Sequence, residues 1–344
     1  MNILIEAHHP AHIHFFKHVI RILIDRGDEV LVLGRDRDVM RSLLDSYSYI
    51  PNILISATGT GNRFPLAEFL HRQRQVASSI RTRKPDIVMS LMGTYTQSAK
   101  LFGVPNLIFT DSEFQRTAHA IAHPFATRIH TPECFGKSLG RKHIRYRGYH
   151  ELAFLHPDRF TPDPCVLNEL GGIAEGDYMV LRVSAWDTLH DIGEQGLANQ
   201  LTDTVRSLSR YLKVFIVPER GVDLGELESH RLALSPHRLH DVLAFARLVV
   251  SEGASTASEA ACLGVPAVYI NSTSRSYLDD QENRYGLVHN FRSASTAIAR
   301  AMQLAEDPPS KAWRQQRRQA LIDDHIDVTA YVIDQIDRYR SSAS

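Results

Sequence analysis

Ser251-Glu-Gly-Ala-Ser-Thr-Ala-Ser-Glu259 gathers several kinds of chemistry in one short stretch of a 344-residue chain. Gly253 lets the backbone approach a ligand closely. Ser251, Ser255 and Thr256 add hydroxyl donors. A helix opening at about Ala254 to Thr256 would aim unpaired backbone N–H groups, and the positive end of its dipole, at an anion above it. Glu259, one turn further on, suits a pair of sugar hydroxyls. Diphosphate plus ribose is the ligand such a set fits, so a nucleotide-sugar site is expected. The same residues also spell a capping box, Thr256-Ala-Ser-Glu259, in which Glu259 only closes the helix start.

Other candidates lie at the ends of apolar runs. Of 18 histidines, five (His8, His9, His12, His14 and His18) crowd the segment after Ile3-Leu-Ile5. A neutral imidazole titrates near working pH, so His9 and His12 are read as bases for an acceptor hydroxyl. Histidines bonding loop backbone, or a metal site at His8, His9 and His12, are the alternatives, and no metal is expected. Asp111 and Glu113 follow Leu107-Ile-Phe109. Asp111 reads equally as the N-cap of a helix containing Phe114 to Ala122, which leaves Glu113 as the better catalytic candidate. Arg182, within Tyr178-Met-Val-Leu-Arg-Val183, is unusual in an apolar strand unless paired. Together with Ser184 it is expected to meet the distal phosphate, where charge builds as a nucleoside diphosphate departs. Arg220 reads both as a second phosphate contact and as a solvated turn residue.

These residues need strand ends and helix starts to hold them. Short apolar runs alternate with helical stretches: strands at 3–5, 29–33, 86–90 and 104–109, and helices near 14–26, 39–46, 66–83 and 95–102. That alternation indicates a parallel sheet covered on both faces. A last strand of this half is expected near 142–147. Prolines 157, 162 and 164 then break the rhythm, which resumes with strands at 178–183, 214–217, 231–234, 248–250 and 266–270 and helices near 193–212 and 240–246. The reading is α/β: an N-terminal Rossmann-like acceptor domain over 1–152, a C-terminal Rossmann-like nucleotide-sugar (donor) domain over 153–310, and a C-terminal helix in 311–344 free to pack back on the first domain. Ligands of such sheets gather at the carboxyl ends of the strands, so the two domains are expected to face each other across a cleft.

Composition narrows the function. Lys+Arg and Asp+Glu both number 39, so no global field draws in nucleic acid. Cys134, Cys165 and Cys262 lack metal-type spacing and read as reduced thiols. No signal-peptide pattern opens the chain, and no apolar run approaches the ~18 residues of a membrane span. A cytoplasmic protein is expected. The helix with Arg72, Arg74, Arg81 and Arg83 is compatible with peripheral contact at the inner face of a membrane, though a core helix with a solvated face is the default. Gly59-Thr-Gly61-Asn62 lacks the ending of a P-loop and reads as a loop.

The run from Leu243 to Val268 resembles the donor region of GT-B glycosyltransferases, most closely the N-acetylglucosaminyltransferase of peptidoglycan synthesis. UDP-N-acetylglucosamine 2-epimerases share that fold and a related motif. Over nearly its full length the chain resembles the family designated domain of unknown function 354, through His9-Pro-Ala-His-Ile-His14 and Thr110-Asp-Ser-Glu113. The resemblance implies a GT-B-like fold, ribose hydroxyls on Glu259, diphosphate at Ser251 to Thr256, and Gln281 and Asn283 facing the donor sugar. It also matches Glu113 loosely to an epimerase glutamate. The chain departs in having Ala7-His-His-Pro-Ala-His12 where the transferases have Gly-Gly-x-Gly-Gly. The expected activity is metal- and cofactor-independent transfer of a sugar, UDP-linked, to a hydroxyl on a glycan or lipid-linked acceptor. The alternatives are a 2-epimerase-like reaction and a binding protein without catalysis.

Overall fold

The computed structural model describes residues 1–35, 40–55, 65–93, 95–184, 197, 200–219 and 221–341. The chain forms two units: residues 1–154 together with the segment from Ile326 on, and Leu155–His325.

In unit 1 the opening apolar run forms β1 (Asn2–Ala7), followed by α1 (Pro10–Asp25), with Pro10 pre-set at the first helical position. Then come β2 (Glu29–Arg35), α2 (Met40–Ser46), β3 (Asn52–Ile55), α3 (Pro65–Arg83), β4 (Ile87–Ser90), α4 (Thr96–Leu101), β5 (Asn106–Phe109), α5 (Arg116–Ala122), β6 (Arg128–Pro132) and β7 (His143–Tyr146). All seven strands are parallel, in the order β3-β2-β1-β4-β5-β6-β7. The order reverses between β1 and β4. Connections there leave on opposite faces and open a crevice at the carboxyl ends of the strands. Leu4, Leu31, Leu33, Val76, Ile80 and Val88 pack as one apolar cluster. Of the basic helix α3, Val76 and Ile80 face this core while Arg74, Arg81 and Arg83 are exposed.

The short helices α6 (Leu152–Leu155) and α7 (Val166–Glu169) carry the chain into unit 2. There follow β8 (Tyr178–Val183), α8 (Leu201–Leu208), β9 (Lys213–Pro218), α9 (Leu239–Phe245), β10 (Leu248–Ser251), α10 (Ala254–Cys262), β11 (Ala267–Ile270), α11 (Ser276–Tyr285), β12 (Val288–Phe291), α12 (Ala294–Glu306) and α13 (Lys311–Asp323). The five strands are parallel in the order β12-β11-β10-β8-β9, reversing between β10 and β8. The strand expected at 231–234 is absent; Arg231 makes one isolated bridge to Ile216.

The tail is two helices, a correction to the one expected over 311–344. α13 packs on α10 and α11 in unit 2, whereas α14 (Val328–Ser341) packs on α1 in unit 1. Chain exit and re-entry are stitched together within unit 1: Ile326 N donates to Arg147 O at 2.8 Å, and the Thr329 hydroxyl to Ala153 O at 2.7 Å. No helix among the described residues is long and apolar enough to cross a membrane.

Candidate functional site

In unit 2 the crevice at the strand-order reversal is bounded by the end of β8 and the turn from β10 into α10. Gly253 is the N-cap of α10, with no side-chain cap, and the first helical bond runs from Ala257 N to Gly253 O. The amides of Ala254, Ser255 and Thr256 therefore precede the helical ladder, the arrangement that favours an anion. Ser255 is exposed and Thr256 buried. Because the helix begins at Ala254, Thr256 lies inside it and the capping box is not formed. Ser251 is fully buried and turned inward. Its hydroxyl donates to Gly253 O at 2.7 Å and accepts from Gly253 N at 3.0 Å, so it builds the turn and has no proton left for a ligand.

Arg182 sits beside this turn, paired in register with Ser251. A Cβ placed on Gly253 would lie 3.6 Å from Arg182 Cγ, an ordinary packing contact that puts the arginine stem against the turn. The guanidinium donates to Val217 O at 3.2 Å and Glu219 Oε1 at 3.4 Å. Burial lowers the Arg182 pKa, opposed by the charges of Glu219 and Glu259. Ser184 is tied in through its backbone: its N–H donates to Glu252 Oε2 at 2.9 Å, and Leu197 N–H to Glu252 Oε1 at 2.7 Å. Glu252, 2% exposed, thus holds the segment after β8 against the α10 turn. The sequence reading missed it, although a carboxylate inside an anion-binding turn is signal enough to ask what it holds. Glu259 is buried one turn into α10, with its Oε1 3.4 Å from His240 Nε2 on α9.

Two expected contacts separate. Gln281 is fully buried and donates to Ser258 Oγ at 2.9 Å, locking α11 to α10, while Asn283 is exposed. Residues two apart on a helix point about 200° apart, so the two cannot face one sugar. Arg220 lies outside the described residues, as do the Gly59–Asn62 loop and residues 185–190. The far end of α10 is fixed as well. Gly264 takes φ +79° just past it, and Arg318 of α13 donates to Cys262 O at 3.2 Å, a cation at a helix C-terminus.

Unit 1 gathers its own cluster at the ends of β1, β5 and β7. His9 is exposed and caps α1, its Nδ1 accepting from Ala11 N at 3.2 Å. His12 is buried, and its Nδ1 accepts from His8 N at 3.3 Å. The ring proton then sits on Nε2, and Nδ1, the lone pair expected of a base, is taken up by the backbone. Burial, reinforced by His8, His9 and His150, pushes its pKa well below the usual histidine value.

Asp111 and Glu113 make contacts other than those expected. α5 starts only at Arg116, with Gln115 as its N-cap, so Asp111 caps no helix. Its Oδ2 instead lies 3.3 Å from Nδ1 of the buried His150. With the ring proton on Nδ1, the side facing the carboxylate, the lone pair is on Nε2, which is buried and has no hydrogen-bond partner among the described residues. A carboxylate orienting a neutral imidazole is the arrangement of an Asp–His base. Glu113 Oε1 accepts from Gly136 N at 3.0 Å, which commits it to the loop after β6. His150, remote in sequence from Asp111, carried no local signal. Neither did Glu6, a carboxylate buried in β1 against His8 Nε2.

Two all-parallel doubly wound units define a GT-B-like fold. Solved structures agree. S. aureus MnaA with UDP superposes with a TM-score of 0.72 at 11% identity, covering 99% of this chain and 97% of that one. The UDP-GlcNAc 2-epimerase from Neisseria meningitidis, bound to UDP-GlcNAc, gives 0.73 at 12% identity with coverage of 98% and 100%. A glycosyltransferase from Streptomyces sp. SF2575 gives 0.59 at 15% identity with coverage of 96% and 99%. No curated protein sequence matches the chain. The model of the family described as protein of unknown function (DUF354) matches residues 1–333, and the chain belongs to that family.

Proposed function

We propose that unit 2 binds a nucleoside-diphosphate sugar, of the UDP type, with its diphosphate on the first amides of α10 and its ribose on Glu259. The observation that carries this reading is the uncapped start of α10 with Arg182 laid across Gly253 and a buried carboxylate one turn further on. Helix amides and a guanidinium supply the charge stabilisation that a departing nucleoside diphosphate needs, without a divalent ion. The activity proposed first is transfer of the sugar to a hydroxyl acceptor, on a glycan or lipid-linked glycan, in surface polysaccharide or glycolipid synthesis on the cytoplasmic side of a membrane. Its fold relatives that carry UDP or UDP-GlcNAc support the choice of nucleotide.

One observation favours a second reading, in which UDP is eliminated and re-added on a single sugar. Unit 1 holds a carboxylate-oriented imidazole, Asp111–His150, and a buried carboxyl–imidazole pair, Glu6–His8, and such an epimerisation needs a base and an acid. Isothermal titration of UDP into wild type and Glu259→Ala tests the site, and binding weakened about tenfold or more, which is ~1.4 kcal/mol, is expected of the variant. Equal affinity in both, or no binding to either, overturns it. Turnover of UDP-GlcNAc with no acceptor present separates epimerisation from transfer.

A further inference from the structure

We propose that Glu6 and His8 form a proton-donating relay at the end of β1, in which Glu6 stores the proton and His8 hands one to a ligand oxygen that is gaining negative charge. β1 has neighbours on both sides, and Glu6 lies in register between Leu33 of β2 and Ser90 of β4. A carboxyl in the middle of a parallel sheet is costly to bury, above all if ionised. An apolar residue would serve the sheet better there. The carboxyl Oε1 meets His8 Nε2, two residues on and just past the strand end, where the side chain is 13% exposed against 4% for Glu6. The histidine is thus the more exposed member of the pair.

The surroundings keep both groups uncharged. Burial pushes Glu6 up to about 8 against the pull of Arg72 on α3. His8 is pushed down to about 3 by burial first, then by Arg72, by Arg35 at the end of β2 and by His9. His12 and Tyr95 close the remaining sides, with ring centroids 5.8 and 5.2 Å from His8. At neutral pH the shared proton belongs to Glu6, whose O–H donates to Nε2, and the imidazole then carries its own proton on Nδ1.

The step follows from that tautomer. The Nδ1–H bond breaks as its proton moves to the lone pair of the ligand oxygen. The Glu6 O–H bond breaks as its proton moves to Nε2. His8 ends neutral in the opposite tautomer, and the one negative charge the oxygen would have held rests on Glu6, within the field of Arg72. Water returns the proton by the reverse path. The relay does not depend on which nucleotide binds at α10, or on whether one does.

The test is spectroscopic. Infrared spectra of wild type minus Glu6→Gln should show a protonated-carboxyl band at pH 6.5 that turns into a carboxylate band as the pH rises through about 8. In ¹⁵N-histidine NMR, His8, assigned with His8→Gln, should be neutral at pH 5 with its proton on Nδ1. Should Glu6→Gln fail to fold, the wild-type NMR decides alone. An ionised Glu6 at pH 6.5, or a His8 protonated on Nε2, overturns the relay. Where wild type turns over UDP-GlcNAc, Glu6→Gln should lower that turnover about a hundredfold or more while leaving UDP affinity unchanged; undiminished turnover in the variant then overturns the relay as well. The spectroscopic arm needs no ligand, so failure of UDP to bind would sink the nucleotide reading and leave the relay standing.

Discussion

His240 Nε2 lies 3.4 Å from Glu259 Oε1, with side chains 2% and 9% exposed. The imidazole, set edge-on to the Phe160 ring at 6.2 Å, lies beside the carboxylate proposed to hold ribose and crowds its rotamers. His240→Ala should therefore weaken UDP binding about three- to tenfold although His240 itself need not touch the ligand. Because both residues act through one carboxylate, the double variant His240→Ala/Glu259→Ala should bind no more weakly than Glu259→Ala alone. Additive losses in calorimetry would show that His240 acts independently.

Glu252 is a structural clamp on the same turn. Replacing it by Ala strands the amides of Ser184 and Leu197, which now give it bonds of 2.9 and 2.7 Å. Each unsatisfied buried donor costs about 1–3 kcal/mol. Urea unfolding should register a loss of that order, and UDP affinity should fall with it, since the segment bearing Ser184 is no longer held.

Asp28 ties the turn after α1 to the C-terminal helix. Its carboxylate, 2% exposed, takes the Arg340 guanidinium at 2.5 Å and the Met1 ammonium at 2.6 Å. Burial pushes its pKa up, but the hydrogen bonds and charges of Arg340 and the Met1 ammonium outweigh it, and the net shift is downward. A carboxyl whose folded pKa is depressed contributes its stability above the ordinary carboxylate range and loses it as pH falls through and below that range. Asp28→Asn should cost about 1–2 kcal/mol at pH 7, at the low end because Arg340 is partly in solvent. In thermal melts the gap from wild type should close in acid.

His130 works in the opposite direction. It is fully buried, stacks on Phe109 with centroids 4.8 Å apart, and shares a 2.7 Å hydrogen bond with the Tyr331 hydroxyl. Burial, helped by Arg128, Arg338 and His143, lowers its pKa from 6.5 to about 4. As pH falls below 6.5 the unfolded chain takes up the proton first, so stability drops until about pH 4, by at most about 1.4 kcal/mol per pH unit from this group. His130→Phe keeps the stack and should flatten the pH dependence of the urea midpoint across that interval. An unchanged slope would place the titration elsewhere.

Strands with continuous apolar runs, such as β1, β8 and β10, and long periodic helices, such as α1 and α3, were legible because burial on both faces leaves a pattern in composition. β3, β6 and β12 were not. β3 and β12 are edge strands with half-exposed faces, and β6 buries His130 and Thr131, polar residues whose partners Tyr331 and His143 lie elsewhere in the chain. The helix start at Gly253 was readable from glycine and small hydroxyl residues. The Asp111–His150 and Glu259–His240 pairs were not, because each joins side chains that only the fold makes neighbours. The resemblance put Gln281 and Asn283 on one sugar, an arrangement a loop could make but the helix that carries them cannot.

The helix α14 belongs to unit 1, yet all of unit 2 precedes it in the chain, and Val328, Val332, Ile333 and Ile336 are the apolar side chains it buries. A ribosome therefore releases the first seven strands without their closing helix. At roughly 5–20 residues per second, the α1 surface stands bare for on the order of ten seconds while unit 2 is translated. Unit 2 can finish folding first, and the earlier-made half is the later to mature, with a greasy stripe on offer to chaperones until the last turn of chain arrives.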